Sequence, residues 1–447
     1  MALSSRRKAL QVLAAAPFAA YAGRMPAIRD IRVIATAPAG LRLSIVRIQT
    51  DVDGLHGYGC GTFTQRADLV NLAVERYLHP LLVGKPVGPV EDTWHLAYNS
   101  SYWRNDAVMN NALSGVDQAL WDIQGKLAGQ PVYQLLGGKV REAAECYAHA
   151  GGEEISQVVE SAKDLQRRGF RHIRVQVGVP NQAAYSSGGG RSYGGGRAPA
   201  AMGRQNTGAL HDGPMFEPAA YIRRTLRMLE KVREELGDSV ELLHDVHERI
   251  LPIQALQFAK DVERFRLFFL EDAVSPEDIG WYRHIRRQST TPLAMGELFN
   301  NPHEWEGLVR ERLIDYLRIH MSQAGGLTPC RKIAAFTEGF GVKTAWHGPG
   351  DVSPIGHAAN LALDLACPNF GIRELVQFNE QVQEVFPGAP VSREGYLWAN
   401  EKPGWGITLD EKAAAKYPFG HMETGERQRF HGGWGVVRRR DGAVIKQ

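Results

Sequence analysis

Residues 240–249 read VELLHDVHER: apolar at Val240, Leu242 and Leu243, then His244, Asp245 and His247 within four positions. In an extended segment side chains alternate faces, so Asp245 and His247 share one side while His244 and Val246 take the other. Standing alone, the pattern fits a satisfied core ion pair. It does not stand alone. Short apolar segments ending in polar groups recur: AECYAHAGG with His149, HIRVQVG with Arg174, VELLHDVHE with Asp245, LFFLEDAV with Glu271, TPLAMGEL with Glu297, DYLRIHMSQAGG with Arg318, VKTAWHGPG with His347 and NFGIREL with Glu374. Gaps of 25, 26, 26 and 27 residues separate several of these groups. Helix-like stretches such as PIQALQFAKDVERF and LTPCRKIAAFTEGFG lie between them. A strand with its crossover helix occupies about this length, and eight such units close a (β/α)8 barrel. The polar groups fall at the C-terminal strand ends, the face where barrel active sites are built.

One gap breaks the rhythm. Arg174 and Asp245 are 71 residues apart, and the interval holds NQAAYSSGGGRSYGGGRAPAAMGRQNTG, a Gly/Ser/Arg-rich stretch without periodicity. Such an insertion is either functional or simply solvated.

Ahead of the barrel, residues 28–65 read as a small meander, IRDIRVIAT, LRLSIVRIQT and GYGCGTF with a turn at DVDG. Helical periodicity follows from Ala67 to about Leu82 and from about Asn110 to Leu127. The expected organisation is therefore an α+β capping domain over 26–140 and an α/β barrel over 141–400. A segment from 401 to 447 is expected to pack back on the cap.

Residues 1–25 are set aside. SSRRKALQVLAAAPFAAYAG has the arginine pair Arg6-Arg7, an apolar stretch and the small-x-small end Ala20-Tyr21-Ala22, the order of a twin-arginine export signal. If it is used, the protein works in the periplasm or beyond; otherwise it is cytoplasmic.

The bulk numbers exclude other classes. The chain has 447 residues, 44% apolar and 23% charged, and a formal net charge of +3, with no basic stripe interleaved with aromatics to suggest nucleic acid. Cys60, Cys146, Cys330 and Cys367 are scattered without C-x-x-C spacing, which argues against a zinc site or a dense disulfide framework. No run of apolar residues is long enough for a membrane-spanning helix.

Asp245, Glu271 and Glu297 end three successive strands and should converge. Carboxylates packed together repel, and burial makes their ionisation costly unless a cation compensates. A hard divalent ion with oxygen ligands, Mg²⁺, is the expected solution, with ion pairs to nearby arginines as the alternative.

GVDQALWDIQGKLAGQPVYQLLGG resembles the end of the capping domain in the enolase superfamily, and HDVH, LED and GE resemble its metal-ligand strand ends. YAHAGG, IRVQVGVP, LLHDVHERILP, HGPGDVSP and NFGIRE resemble the mannonate dehydratase family, over residues 28 to about 420. The resemblance implies a capped, enolase-like barrel, Mg²⁺, and dehydration of D-mannonate or D-gluconate to a 2-keto-3-deoxy acid through an ene-diolate. It implies His247 as general acid, and Arg174 with a tyrosine as the base, Tyr185 or, because the insertion blurs register, Tyr193. Lysine is missing from the second strand, and no carboxylate ends the sixth. Arg318, His347, Asp351, Glu374 and His149 match positions that hold the substrate. Thr64 stands where the family often has asparagine. A racemase or epimerase using His347, or a sugar-acid-binding protein of low turnover, are the competing readings; a homo-oligomer is the expected assembly.

Overall fold

The computed structural model describes residues 24–179, 215–350, 352–420 and 437–445. The cap sheet is antiparallel, β1 (Ile28–Thr36), β2 (Leu43–Thr50) and β3 (His56–Cys60) in that order. Alternation along β2 sorts its residues between two cores: Val46 and Ile48 pack with the cap helices, Leu43 and Ile45 with the larger barrel core. The cap helices are α1 (Ala67–Ala73), continued by helical turns to Leu82, α2 (Val90–Tyr98) and α3 (Ala107–Ala128). Asp106 caps α3 by accepting from the Met109 amide, and Gly129 ends it at φ 67°. The glycines of β3 are there for contact. A Cβ on Gly59 would lie 1.9 Å from the Gly115 carbonyl oxygen, so the strand presses directly on α3.

Eight parallel strands follow: β4 (Ala144–Gly152), β5 (His172–Val177), β6 (Glu241–Asp245), β7 (Phe269–Glu271), β8 (Leu293–Met295), β9 (Tyr316–Leu317), β10 (Lys343–Thr344) and β11 (Arg373–Glu374). They pair in chain order, β11 pairs with β4, and a bridge from Thr344 to Phe370 closes the ring. Helices α4 (Ile155–Arg167), α5 (Pro218–Leu236), α6 (Pro252–Asp261), α7 (Tyr282–Gln288), α8 (Pro302–Arg310), α9 (Leu327–Gly339) and α10 (Pro354–Ala366) form the outer layer. No helix among the described residues is long and apolar enough to cross a membrane.

Tyr147, Leu243, Phe269, Ala294, Tyr316, Ala345 and Ile372 fill the barrel interior. Two residues further along the same strand faces stand His149, Asp245, Glu271, Arg318, His347 and Glu374. Period-two geometry thus carries the interior layer directly into a ring of polar groups. β8 differs. Glu297 comes three residues after Ala294, past Gly296 at φ 151°, where a Cβ would lie 2.8 Å from the Arg318 carbonyl carbon.

Sequence expects the whole of 401–447 on the cap, and the structure divides it. Trp405 donates to Asp122 and to the Tyr58 carbonyl, Glu411 pairs with Arg32 and Arg47, and Thr36 bonds the Ala414 carbonyl, so this part does lie on the cap. Residues 437–445 sit instead against the barrel, because the Phe216 amide donates to the Arg438 carbonyl. The export-signal reading falls on residues 1–25, of which 1–23 lie outside the described residues.

Candidate active site at the barrel mouth

The segment 240–249 resolves into two environments. His244 faces the helix layer: its Nδ1 donates to the Val175 carbonyl at 2.8 Å, which leaves Nε2 to accept from the Tyr221 hydroxyl at 2.7 Å. Burial first of all pushes its pKa down to about 4. It is a satisfied neutral core histidine. Asp245 faces the mouth, where Arg174 donates to it at 2.7 Å and His247 Nε2 lies 2.7 Å away. The strand ends at Asp245, so the extended geometry expected through His247 does not hold. His247 and Glu248 take φ 51° and 50°, and the chain turns. The His247 amide donates to Asp245 at 2.9 Å, and this turn brings the ring to the carboxylate.

Around the mouth, acids and bases interlock. Arg318 donates to Glu271 and, at 3.0 Å, to Glu374. Glu374 also receives the Gly348 amide at 3.0 Å and lies 3.0 Å from His149 Nε2. Arg174 lies 3.9 Å from Glu271. His347 Nε2 is 3.0 Å from Glu297, and its Nδ1 is 2.9 Å from His320 Nδ1. Arg318 also lies over the Tyr147 and Phe269 rings. These charges are deeply buried: Asp245 is 0% exposed, Glu271 0%, Arg318 0% and Arg174 4%.

Protonation follows from burial and neighbours. Burial opposes charge on Asp245, yet His247 and Arg174 hold its pKa below the usual range. Burial pushes Glu271 up to about 8 against the pull of Arg318. Desolvation would lower His347, but Glu297 raises it to about 9, while burial drives His320 down to about 3. Protonated His347 therefore donates from Nδ1 to neutral His320. Burial, followed by repulsion from Glu297, Glu271 and Asp245, raises Asp272 well above the carboxylate range. Burial lowers His149 to about 4.

Of the residues singled out from the sequence, Arg174, His247, His149, Arg318, His347, Glu374, Asp245, Glu271 and Glu297 are all brought to this mouth. Tyr185, Tyr193 and Asp351 lie outside the described residues. Thr64 is buried in the cap with its carbonyl accepting from Arg42, and no bond joins it to the mouth among the described residues. The three carboxylates expected to hold a metal enter two overlapping groups, Asp245 with His247 and Glu297, and Asp245 with Glu271 and Asp272. In each group one ligand atom per residue lies within 4.8 Å of the others. Sequence reasoning missed Asp272 and His320. Asp272 stood in the quoted LED, one residue past a recognised strand end. His320 stood in RIHMS, where the absent carboxylate was noted and the imidazole was not.

Comparison with known proteins agrees with this architecture. Residues 24–137 match the N-terminal domain of mandelate racemase / muconate lactonizing enzyme, and residues 157–413 match the enolase C-terminal domain-like family. A D-galactonate dehydratase family member of Enterococcus gallinarum is 48% identical over 392 residues, covering 88% of this chain and 93% of that protein. One from Pantoea ananatis is 46% identical over 430 residues, covering 93% and 98%. A crystal structure of an enolase from Pantoea ananatis with bound D-gluconate and Mg superposes with a TM-score of 0.85 at 45% identity, over 94% of this chain and 100% of the other. A mandelate racemase/muconate lactonizing enzyme structure from Labrenzia alexandrii, 24% identical with a TM-score of 0.75, shares the fold. With almost the full length of both chains aligned at such identity, this chain belongs to the D-galactonate dehydratase family of sugar-acid dehydratases in the enolase superfamily.

Proposed function

We propose that the protein dehydrates a six-carbon sugar acid of the D-gluconate or D-mannonate type to its 2-keto-3-deoxy acid, with Mg²⁺ held by Asp245, Glu271 and Glu297. The crowding of buried carboxylates at the mouth carries this reading. Five buried carboxylates, Asp245, Glu271, Asp272, Glu297 and Glu374, face two guanidiniums, Arg174 and Arg318, and one imidazolium, His347. Burial keeps Glu271 and Asp272 protonated while no ion is bound, and their ionisation would leave two negative charges for a divalent cation to meet. The arginine pairs foreseen as an alternative do form, and with His347 they supply three cations for the five carboxylates. An all-oxygen set of three carboxylates suits a hard divalent ion. The Pantoea ananatis structure with D-gluconate and Mg supports the same choice.

When bound, the cation supplies positive charge beside the substrate carboxylate as negative charge builds there during α-proton removal. The protein's own groups do the rest. Arg318 is aimed between Glu271 and Glu374 and is a fixed cation for orienting an anionic substrate. Glu374 and His149 form a polar pair suited to sugar hydroxyls. His247 holds a transferable proton at Nε2, next to Asp245, for the departing 3-hydroxyl. Arg174 provides the positive field for a tyrosine base, Tyr185 or Tyr193. A racemase would need a second base, and His347 is engaged by Glu297 on one side and His320 on the other.

Incubation of the Mg²⁺-loaded protein with D-gluconate and D-mannonate, read by a 2-keto-3-deoxy acid assay, tests the proposal. Product from one of them, lost with EDTA, is expected. Saturable binding of both without product would favour a sugar-acid-binding role instead. Export through Arg6-Arg7 is also proposed, on sequence alone; unprocessed protein confined to the cytoplasm of the native host would refute it.

A further inference from the structure

Phe269 and Glu271 turn inward, so regular alternation would send Asp272 outward to the helix layer. The chain instead leaves the strand at Asp272 with φ 42°, a left-handed conformation that a non-glycine residue adopts at some cost. The residue is 2% exposed, and one of its oxygens lies within 4.8 Å of ligand atoms of Asp245 and Glu271. Its backbone is fully engaged, the amide donating to the Ala294 carbonyl at 3.0 Å and the carbonyl accepting from Glu248 at 2.9 Å. Its side chain is the opposite case. Neither carboxylate oxygen has a hydrogen-bond partner among the described residues.

A buried carboxylate without donors is strongly unfavourable, and a strained backbone that holds it beside two other acids adds to the cost. The arrangement makes sense if something positive completes it. We propose that Asp272 is a fourth carboxylate of the cation site, whose charge acts with those of Asp245, Glu271 and Glu297 to tighten binding of the divalent ion. This rests on the cation reading above and adds a residue to it.

Calorimetric titration of the full chain with Mn²⁺, compared between wild type and Asp272→Asn, tests the assignment, together with the melting temperature in EDTA. The neutral variant should bind Mn²⁺ at least about tenfold more weakly, the lower end of the range expected for groups that support a metal site. In EDTA it should melt no lower than wild type, because the Asp272 carboxylate oxygens give up no hydrogen bond among the described residues. A smaller change in affinity overturns the proposal, as does a melting temperature lowered equally with and without the ion, which marks a structural residue. If the Asn variant does not fold, Asp272→Ser is judged by the same two readouts. Wild-type protein that binds no Mn²⁺ would overturn the cation reading itself, a result distinct from wild-type binding that Asp272→Asn leaves unchanged.

Discussion

Two of the regions that bury carboxylates bury them differently. At the seam between cap and barrel, Asp122 accepts from the Tyr58 amide at 3.0 Å, the Trp405 amide at 2.9 Å and Lys126 at 2.7 Å. Asp117 accepts from the Thr328 amide at 3.0 Å and from its hydroxyl. Each acid there joins distant parts of the chain through backbone donors. At the barrel mouth, Asp245, Glu271, Asp272 and Glu297 are drawn from neighbouring strand ends, crowd within reach of one another, and in Asp272 include an acid with no hydrogen-bond donor among the described residues. Satisfied acids hold a fold together. Unsatisfied ones whose ligand atoms also converge with other acids mark where a ligand belongs.

That contrast can be broken at either end. The largest effect should come from the mouth: stripping divalent ions with EDTA should abolish dehydration while the fold persists, and added Mg²⁺ should restore it; activity that survives thorough chelation would remove the cation from the account. Next in size is His247→Asn. Dehydration should fall by about 10²–10⁴ while exchange of the substrate α-hydrogen with solvent deuterium continues, since the acid acts after the base. Equal loss of both would make His247 part of proton abstraction. At the seam, Asp122→Ala should lower stability by about 3 kcal/mol in denaturant titrations and leave the affinity for Mn²⁺ unchanged. A shift in that affinity would show that the two regions are coupled. Smallest is Tyr221→Phe, which takes the hydroxyl from His244 Nε2 on the outer face. About 1 kcal/mol of stability should go, with kcat untouched; a large drop in kcat would deny that His244 is merely structural.

Much of this was legible in the sequence, for a physical reason. Eight strands with one inward period place His149, Asp245, Glu271, Arg318, His347 and Glu374 two residues beyond interior side chains, so spacing alone reveals the ring. Glu297 was found by the same spacing although Gly296 bends the chain before it. What spacing cannot give is where regular structure stops. His247 reaches Asp245 through a left-handed turn and not through a continuing strand, and Asp272 joins the acids because its backbone breaks alternation. The contact between His320 and His347 depends on which rings meet across strands, and neither segment records that. Helix α2, nine residues long, escaped because so short a segment offers little periodicity.

One divalent ion is expected to complete the carboxylates crowded at the mouth. Calorimetric titration with Mg²⁺ of wild type and Glu271→Gln, a variant that removes one charge with little change of shape, tests it most directly. One ion per wild-type chain and markedly weaker binding in the variant are expected, with the fold intact by circular dichroism. Binding of equal strength in both proteins, or no binding in either, would contradict it.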